Sequence, residues 1–230
     1  MLTQLRQRLK DAERKVRSSF GDDISTPAGR WQAWAHFNLM DHAFLRVWWT
    51  NFGQVADGVY RSNHPGPKRL EKYKQMGIKT VLNLRGNDGY SPWLLEEEAC
   101  ERLGMDLVVR KIYARKPARQ QEILALIDAL KTLPRPFVMH CKSGADRAGF
   151  AAVLYRAIVE KVSLSEARKE LSVRYLHLDW TATGIVDHIF DVYERRLAKD
   201  PIDLETWFQT EYDHRAVEAS FAARRRGEEW

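Results

Sequence analysis

The residues best suited to chemistry lie between His140 and Arg147, a segment that contains a cysteine, a glycine and an arginine. Apolar residues precede and follow this segment, which predicts a short buried strand, a tight loop and the start of a helix. A loop in front of a helix N-terminus directs backbone N–H groups toward one anion. The spacing of cysteine and arginine, six positions apart, therefore predicts a loop that binds a tetrahedral phosphate.

Three residues of the loop have side chains or backbone properties that suit phosphate chemistry. Cys141 is a useful nucleophile only as a thiolate, which the positive end of the following helix stabilises. Arg147 presents a planar guanidinium that holds two phosphate oxygens at once, which a lysine does not do. Gly144 lets the chain turn where a Cβ atom would crowd a bound ligand. We therefore predict that Cys141 is a nucleophile and that Arg147 binds the phosphate.

The string His-Cys-x5-Arg between a strand and a helix resembles the signature of the cysteine-dependent protein tyrosine and dual-specificity phosphatases, in a bacterial dual-specificity-like form. Residues 55–62, with a predicted turn at Asp57-Gly58, are similar to the opening segment of bacterial and fungal members. The resemblance implies a phosphatase that hydrolyses phosphate monoesters through a cysteinyl-phosphate, without a cofactor. It also implies substrate-binding roles for five loop residues: His140, Lys142, Ser143, Gly144 and Ala145. A purely structural role for His140 stays open.

The residue that protonates the leaving group is not found where relatives have it. Relatives carry an aspartate on the loop that corresponds to residues 112–119, and this chain has no acid there. Asp146 is the nearest candidate, and phosphoinositide phosphatases of the myotubularin and Sac types resemble this chain in having an aspartate at that position. We interpret Asp146 as the general acid, with a purely hydrogen-bonding role as the alternative and Asp88 and Asp179 as reserve acids.

A second departure follows the arginine. Many relatives have a serine or threonine there, whose hydroxyl eases the departure of the thiolate, whereas this chain has Ala148. We therefore expect slow hydrolysis of the phosphoenzyme. The two departures leave open a binding module that kept the loop but lost catalysis. A rhodanese-like sulfurtransferase also has a cysteine on such a loop, although His140 and Arg147 disfavour it.

The chain of 230 residues has a net charge of +6, which favours anionic partners. A basic cluster is expected beside the pocket: Arg110, Lys111, Arg115, Lys116 and Arg119. This cluster favours multiply phosphorylated substrates or an anionic membrane surface, and a solvated helix start is the alternative reading. Phosphorylated proteins, anionic phospholipids and inositol phosphates are the expected substrates, and nucleic acid is not expected.

Cysteine and histidine usage gives expectations for metals and for location. His36 and His42 lack a third ligand at metal-binding spacing, so no metal site is expected. Cys100 and Cys141 do not suggest a disulfide framework, and Cys100 is interpreted as a core residue. The sequence has no long apolar span and a charged N-terminus. We therefore expect a cytoplasmic protein, with peripheral contact to the inner face of the membrane left open.

Strands and helices alternate after residue 50, which predicts an α/β fold with a central, mainly parallel sheet flanked by helices, like that of the phosphatases. The site would then lie at the carboxyl ends of the strands. Single helices are predicted over residues 148–160, 163–173, 181–198 and 204–226, with Ser163 and Asp203 as N-caps.

The predicted domains are a helical N-terminal extension over residues 1–50 and a catalytic domain over residues 51–230. The extension is predicted to contain a basic amphipathic helix over residues 2–19. A second predicted helix, over residues 30–49, contains half of the eight tryptophans. We expect this tryptophan-rich helix to pack against the catalytic domain.

Overall fold

The structure is a computed structural model and describes residues 20–230. The helix predicted over residues 2–19 lies outside the described residues. A five-stranded sheet forms the centre of the fold, with β1 (Gly53–Ala56), β2 (Val59–Asn63), β3 (Thr80–Asn83), β4 (Asp106–Val109) and β5 (Phe137–Cys141). The spatial order is β1-β2-β5-β3-β4, in which β1 is antiparallel to β2 and the other neighbours are parallel. The predicted central, mainly parallel sheet is confirmed.

The described residues form ten α-helices, joined by short 3₁₀ and π-helical turns. They are α1 (Pro27–Ala35), α2 (Leu45–Trp48), α3 (Pro67–Gln75), α4 (Ser91–Leu103), α5 (Gln120–Thr132), α6 (Asp146–Leu154), α7 (Leu164–Ala167), α8 (Ile185–Leu197), α9 (Leu204–Thr210) and α10 (His214–Arg226). The predicted hairpin at Asp57-Gly58 is confirmed, since Gly58 has φ +68° between β1 and β2. That positive φ is the conformation a tight hairpin turn requires.

Two hydrophobic cores cover the two faces of the sheet. Along β3 and β5, Val81 and Val138 pack against residues of α3 and α4. Their neighbours Leu82 and Met139 belong to the larger core, which includes residues of α5, α6 and α8. Alternate residues of a strand point to opposite faces, so both central strands present apolar residues to both cores. β5 is fully buried and ends at Cys141. The carboxyl edge of the parallel strands therefore lies where the loop predicted to bind phosphate begins.

Two of the predicted helices are interrupted. The single helix predicted over residues 204–226 is wrong, because α9 ends at Thr210 and Asp213 caps α10 by accepting a hydrogen bond from the N–H of Arg215. The helix predicted over residues 163–173 continues after α7 only as a 3₁₀ turn at Arg168–Glu170. Both predicted N-caps are confirmed, because the Ser163 side chain accepts a hydrogen bond from Glu166 N and the Asp203 side chain accepts one from Thr206 N.

The tryptophan-rich segment also differs from its prediction. After α1 it forms a π-helical turn at His36–Met40, and His42 then has φ +58°. A left-handed residue does not continue a right-handed helix, so a single helix over residues 30–49 is wrong. The change of direction buries Phe37 in a small core with Ala43 and Leu95.

The redirected segment leaves most of its tryptophan surface outside the protein core. The exposed fractions of Trp31, Trp34 and Trp48 are 68%, 59% and 91%. The segment does pack against the domain, as expected, through Phe37 and Ala43, but three of its four tryptophans do not take part. Within residues 20–230, no helix is both long and apolar enough to cross a bilayer.

Substituting two tryptophans by alanine tests this exposure. Trp48→Ala should change the free energy of unfolding by less than about 0.5 kcal/mol, because little apolar area is lost from the core. Trp207→Ala should cost about 3–5 kcal/mol, because Trp207 is 3% exposed and lies in the larger core. Urea denaturation of both variants measures the difference. An equally large loss for Trp48→Ala would contradict the exposed position of α2.

Candidate active site

The predicted strand, loop and helix are present at the carboxyl edge of the sheet. Cys141 ends β5 and is 1% exposed, and Asp146 is the first residue of α6. The four residues between them form the turn of the loop. Since β5 lies between β2 and β3, the loop is surrounded by the ends of neighbouring strands. The helix also directs its positive N-terminal end back toward Cys141.

The carbonyl groups of the loop are turned outward by hydrogen bonds to neighbouring segments. The four bonds are His64 N to Lys142 O (3.2 Å), Asn51 Nδ2 to Ser143 O (3.0 Å), and Arg61 Nη2 to Gly144 O (2.6 Å) and to Ala145 O (3.1 Å). In a planar trans peptide the C=O and the following N–H point in opposite directions. Outward carbonyls therefore direct the N–H groups of residues 143–146 into the loop, where an anion would be bound.

Gly144 makes this path of the backbone possible. Its φ is +74°, and a Cβ atom there would lie 2.6 Å from Asn63 N and 2.7 Å from the carbonyl carbon of Ser62. No larger residue fits against the end of β2 without moving the backbone. The Gly144 N–H also donates to Cys141 Sγ at 3.3 Å. One inward N–H group thus contacts the predicted nucleophile directly.

Arg61 connects the loop carbonyls to Glu170, which lies on the 3₁₀ turn at Arg168–Glu170. Its side chain is fully buried, and Nη1 donates to the backbone oxygen of Glu170 at 2.6 Å and to its carboxylate at 2.8 Å. The guanidinium carbon lies 3.7 Å from the centre of the Tyr175 ring. A buried arginine needs this pairing to offset its lost hydration. The sequence indicated Arg61 only as part of the hairpin, because its partner lies 109 residues away.

Arg147 differs from Arg61 in having no protein partner. Within residues 20–230 its guanidinium makes no hydrogen bond or ion pair, and its Nε is buried. A buried donor without an acceptor costs free energy unless a ligand or water supplies one. The arrangement leaves the charge of Arg147 available to an anion at the loop.

His140 is held in the core by an acidic residue of α4. His140 is fully buried, and its Nε2 lies 2.6 Å from Oε1 of Glu96, which is 1% exposed. His140 Nε2 and Glu96 Oε1 lack hydrogen-bond geometry, so their contact is electrostatic. Asn83 Nδ2 donates to the other carboxylate oxygen at 2.6 Å. This position suits a residue that orients the loop from the core.

The same region contains a group of potential metal ligands among the described residues. Ligand atoms of His64, Glu96 and His140 all lie within 4.8 Å of one another. Within residues 20–230, His64 Nδ1, Glu96 Oε1 and both ring nitrogens of His140 make no hydrogen bond. His64 Nε2 contacts the carbonyl oxygen of Pro92 at 3.1 Å. Burial also holds the pKa of His64 well below its usual value, so its ring is neutral. Of the histidines considered from the sequence, His36 has its Nδ1 2.7 Å from Ser91 Oγ.

Asp146 belongs to a three-residue network that sequence reasoning did not find. His177 Nδ1 lies 2.8 Å from Asp146 Oδ1, and His177 Nε2 lies 2.5 Å from Asp187 Oδ2. His177 is buried, and Asp146 is 16% exposed. Burial alone would lower the pKa of His177, but the two carboxylates raise it to about 9. His177 is therefore protonated at neutral pH. No spacing in the sequence links residues 31 positions apart.

The reserve acids are not drawn into this network. Asp88 lies in the loop after β3, and its carboxylate accepts a hydrogen bond from Tyr90 N at 3.4 Å. Asp179 precedes the 3₁₀ turn at Ala182–Gly184. In the described part of the chain, neither carboxylate bonds to the loop that contains Cys141.

The N-terminal segment contributes a buried carboxylate to the loop. Asp41, between α1 and α2, accepts two bonds from Arg85 at 2.9 and 3.0 Å and one from Arg46 at 2.7 Å. It also lies 3.2 Å from Lys142 Nζ. Burial would raise the pKa of Asp41, but Arg85, Arg46 and Lys142 hold it far below the usual value. The predicted substrate-binding side chain of Lys142 is therefore an ion-pair partner of Asp41.

The basic cluster predicted beside the pocket follows β4, two strands from β5. Strands in a sheet lie about 4.8 Å apart, so the cluster begins roughly 10 Å from the loop. Its exposed members are Lys111, Arg115, Lys116 and Arg119. Arg110 is tied to the backbone instead, donating to the carbonyls of Ala125 and Val109.

Cys100 differs from Cys141 in its surroundings. It lies on α4, is 1% exposed and packs against α3 and the sheet. Burial, with a smaller contribution from Glu96, raises the pKa of the Cys100 thiol to about 12. The interpretation of Cys100 as a core residue is confirmed.

In this α/β sheet, a loop with inward N–H groups follows the central parallel strand, an arrangement typical of one class of phosphate-binding fold. Comparisons with known proteins give the family. Residues 50–163 match the tyrosine phosphatase family. The chain is 25% identical over 123 residues to the dual specificity protein phosphatase TpbA of Pseudomonas aeruginosa, covering 53% of each protein. It is 28% identical over 110 residues to the inositol diphosphatase DSP3 of Arabidopsis thaliana, covering 44% of this chain and 50% of the relative.

Solved structures agree on the fold. The crystal structure of Pseudomonas aeruginosa TpbA aligns with a TM-score of 0.51 and 18% identity, covering 75% of this chain and 91% of that chain. Its cysteine-to-serine variant in complex with phosphotyrosine aligns over the same shares with a TM-score of 0.50 and 16% identity. The chain spans about half the length of the curated relatives it matches. It belongs to the superfamily of cysteine-dependent protein tyrosine and dual-specificity phosphatases.

Substituting Arg61 by lysine tests the outward hydrogen bonds of the loop. A single ammonium cannot serve both loop carbonyls and Glu170 at once, so the N–H groups should lose their alignment. We expect the affinity for vanadate, a phosphate analogue, to fall at least about tenfold, which corresponds to roughly 1.4 kcal/mol. Isothermal titration calorimetry measures it.

Arg110→Lys is the matched control, since Arg110 also donates to backbone carbonyls but outside the loop. Its vanadate affinity should stay at the wild-type value. Equal affinities for the two variants would show that Arg61 does not shape the loop.

Proposed function

We propose that this protein is a cysteine-based phosphoric monoester hydrolase that acts through a cysteinyl-phosphate intermediate. The observation that carries the proposal is the unpartnered guanidinium of Arg147, whose Nε is buried, next to a loop whose N–H groups point inward. Such a site has a positive charge without an acceptor and backbone donors that face the same space, and it has Cys141 at its base. A phosphate monoester supplies the missing acceptors and an electrophilic phosphorus.

In the first step, the Cys141 thiolate attacks phosphorus, an S–P bond forms and the bond to the leaving oxygen breaks. The loop N–H groups, including those of Ser143, Gly144 and Ala145, bind the equatorial oxygens, and Arg147 stabilises the charge that they carry in the transition state. Asp146 gives a proton to the leaving oxygen. In the second step, water attacks phosphorus, Asp146 receives a proton from that water, and the S–P bond breaks.

The substrate class follows from the charges around the loop. TpbA has been crystallised with phosphotyrosine, and DSP3 is an inositol diphosphatase, so relatives include both kinds of substrate. The exposed lysines and arginines after β4 favour a substrate with more than one negative group. We therefore place inositol phosphates and phosphorylated lipid head groups before phosphotyrosine or phosphoserine proteins.

The exposed tryptophans add support for a lipid substrate. Trp31, Trp34 and Trp48 lie on the segment whose Asp41 contacts the loop. Tryptophan is favoured at membrane interfaces, where its ring is partly in contact with apolar chains. We propose that a cytoplasmic enzyme makes peripheral contact with an anionic membrane surface through this segment.

Substitution of Cys141 by serine tests the enzyme class. Cys141→Ser should abolish hydrolysis of p-nitrophenyl phosphate while it keeps vanadate binding, because the loop is unchanged and only the nucleophile is lost. Steady-state kinetics and calorimetry measure the two properties. Vanadate binding without turnover by the wild type would identify a binding module instead. Transfer of sulfur from thiosulfate to cyanide would identify a sulfurtransferase.

Substitution of Ala148 tests the second step. Ala148 is buried in the first turn of α6 and offers no hydroxyl to the departing thiolate. Ala148→Ser should shorten the lifetime of the phosphoenzyme, which rapid quenching after a fast leaving-group substrate measures. An unchanged lifetime would contradict the inference that the missing hydroxyl slows this step.

A further inference from the structure

We propose that His177 is a positioning residue that stores the proton which Asp146 passes to the leaving group. The inference rests on the proposed function, since it names the source of a proton in that reaction. It assigns a role to two residues, His177 and Asp187, that lie outside the phosphate loop. The loop and its general acid would then depend on a proton relay from the helical layer behind them.

Each ring nitrogen of His177 has a carboxylate oxygen at hydrogen-bond distance. Asp146 Oδ1 lies 2.8 Å from Nδ1 of His177, and Asp187 Oδ2 lies 2.5 Å from Nε2. Ionised carboxylates only accept hydrogen bonds, so the ring must donate from both nitrogens. A ring that donates from both nitrogens is an imidazolium. Its 2% exposure keeps it from exchanging these bonds for water.

The two carboxylates that contact His177 come from two helices. Asp146 approaches His177 from α6, and Asp187 approaches it from α8. Arg168, on the 3₁₀ turn at Arg168–Glu170, interacts electrostatically with Asp187. The carboxylates hold the pKa of His177 at about 9, although burial opposes this. The network therefore contains a transferable proton at neutral pH.

The proton balance closes without another reactant. When the bond between phosphorus and the leaving oxygen breaks, that oxygen takes a proton from Asp146, and Asp146 takes one from Nδ1 of His177. The neutral ring keeps its Nε2 proton, which it donates to Asp187. When water attacks the phosphoenzyme, its proton returns through Asp146 to His177, and the S–P bond breaks to release the thiolate. The enzyme is then in its starting state.

The pH dependence follows from the sign of the pKa shift. His177 holds its proton below about pH 9 and loses it above that value. Hydrolysis of substrates with poor leaving groups should therefore continue to about pH 9 and decline above it. Substrates with good leaving groups need no proton, so their rates should not show this decline.

His177→Asn tests the proposal. The asparagine amide can donate to Asp146 in place of Nδ1, but it has no titrating proton. With phosphotyrosine, kcat at neutral pH should fall about 100-fold and the alkaline decline should move to lower pH. With p-nitrophenyl phosphate, kcat should change by less than about threefold. Asp187→Asn, which removes one of the two carboxylates, should also move the decline to lower pH.

His188→Asn is the matched control, since His188 is a buried histidine of α8 that contacts Ser220 Oγ at 2.7 Å. Its pH profile should equal that of the wild type. Parallel loss on both substrates with an unmoved alkaline decline would show a purely structural His177 and overturn the proposal.

NMR titration of the His177 ring in the wild-type protein keeps the test independent of the variants. We expect the ring to stay protonated to about pH 9. Titration near the ordinary value of about 6.5 would overturn the proposal even if His177→Asn did not fold. Failure of the proposed function is distinguishable, because it would appear as no turnover of either substrate by the wild type.

Discussion

The site depends on the direction of four peptide groups. An anion-binding loop needs its N–H groups inside, and planar peptides then require its carbonyls outside, where each must find a donor. Here the donors are the backbone of His64 and the side chains of Asn51 and Arg61. Arg61 alone serves two carbonyls, and its own charge is balanced by Glu170. The shape of the loop is thus set by residues that never meet the substrate.

The charges around the loop follow the same logic. His140 has Glu96, Lys142 has Asp41, and Asp146 has His177. Each of these groups thus has an ionisable partner within 3.2 Å. In the described part of the chain Arg147 is the cation of the loop without such a partner. Because the neighbouring charged groups already have partners, the charge of Arg147 is the one that an anion bound at the loop would neutralise.

Sequence reasoning predicted what local patterns determine. The strand, loop and helix around Cys141 are present, as is the hairpin at Asp57-Gly58, because each depends on residues that are close in sequence. The parallel sheet joins strands that are far apart in the chain, but the alternation of strands and helices predicts it. The roles proposed for the loop residues stay predictions.

The parts that sequence reasoning missed are of two kinds. The partners of Arg61 and Asp146 lie 109 and 31 residues away, and no periodicity connects such pairs. The break near His42 depends on the positive φ of that residue, whereas the residue types around it favour a continuous helix. Both kinds are decided by tertiary packing, which overrides local preference.

The position of the acid explains why a long-range network is needed. On a loop beside the pocket, an aspartate could be protonated or ionised as the substrate requires. Asp146 is instead the first residue of a helix, and helix N-termini stabilise anions. In the proposed reaction this carboxylate must also carry a proton to the leaving group. The imidazolium 2.8 Å from Asp146 Oδ1 is the group that would supply that proton. If the acid lies in the loop, as proposed, the histidine behind it becomes part of the proposed chemistry.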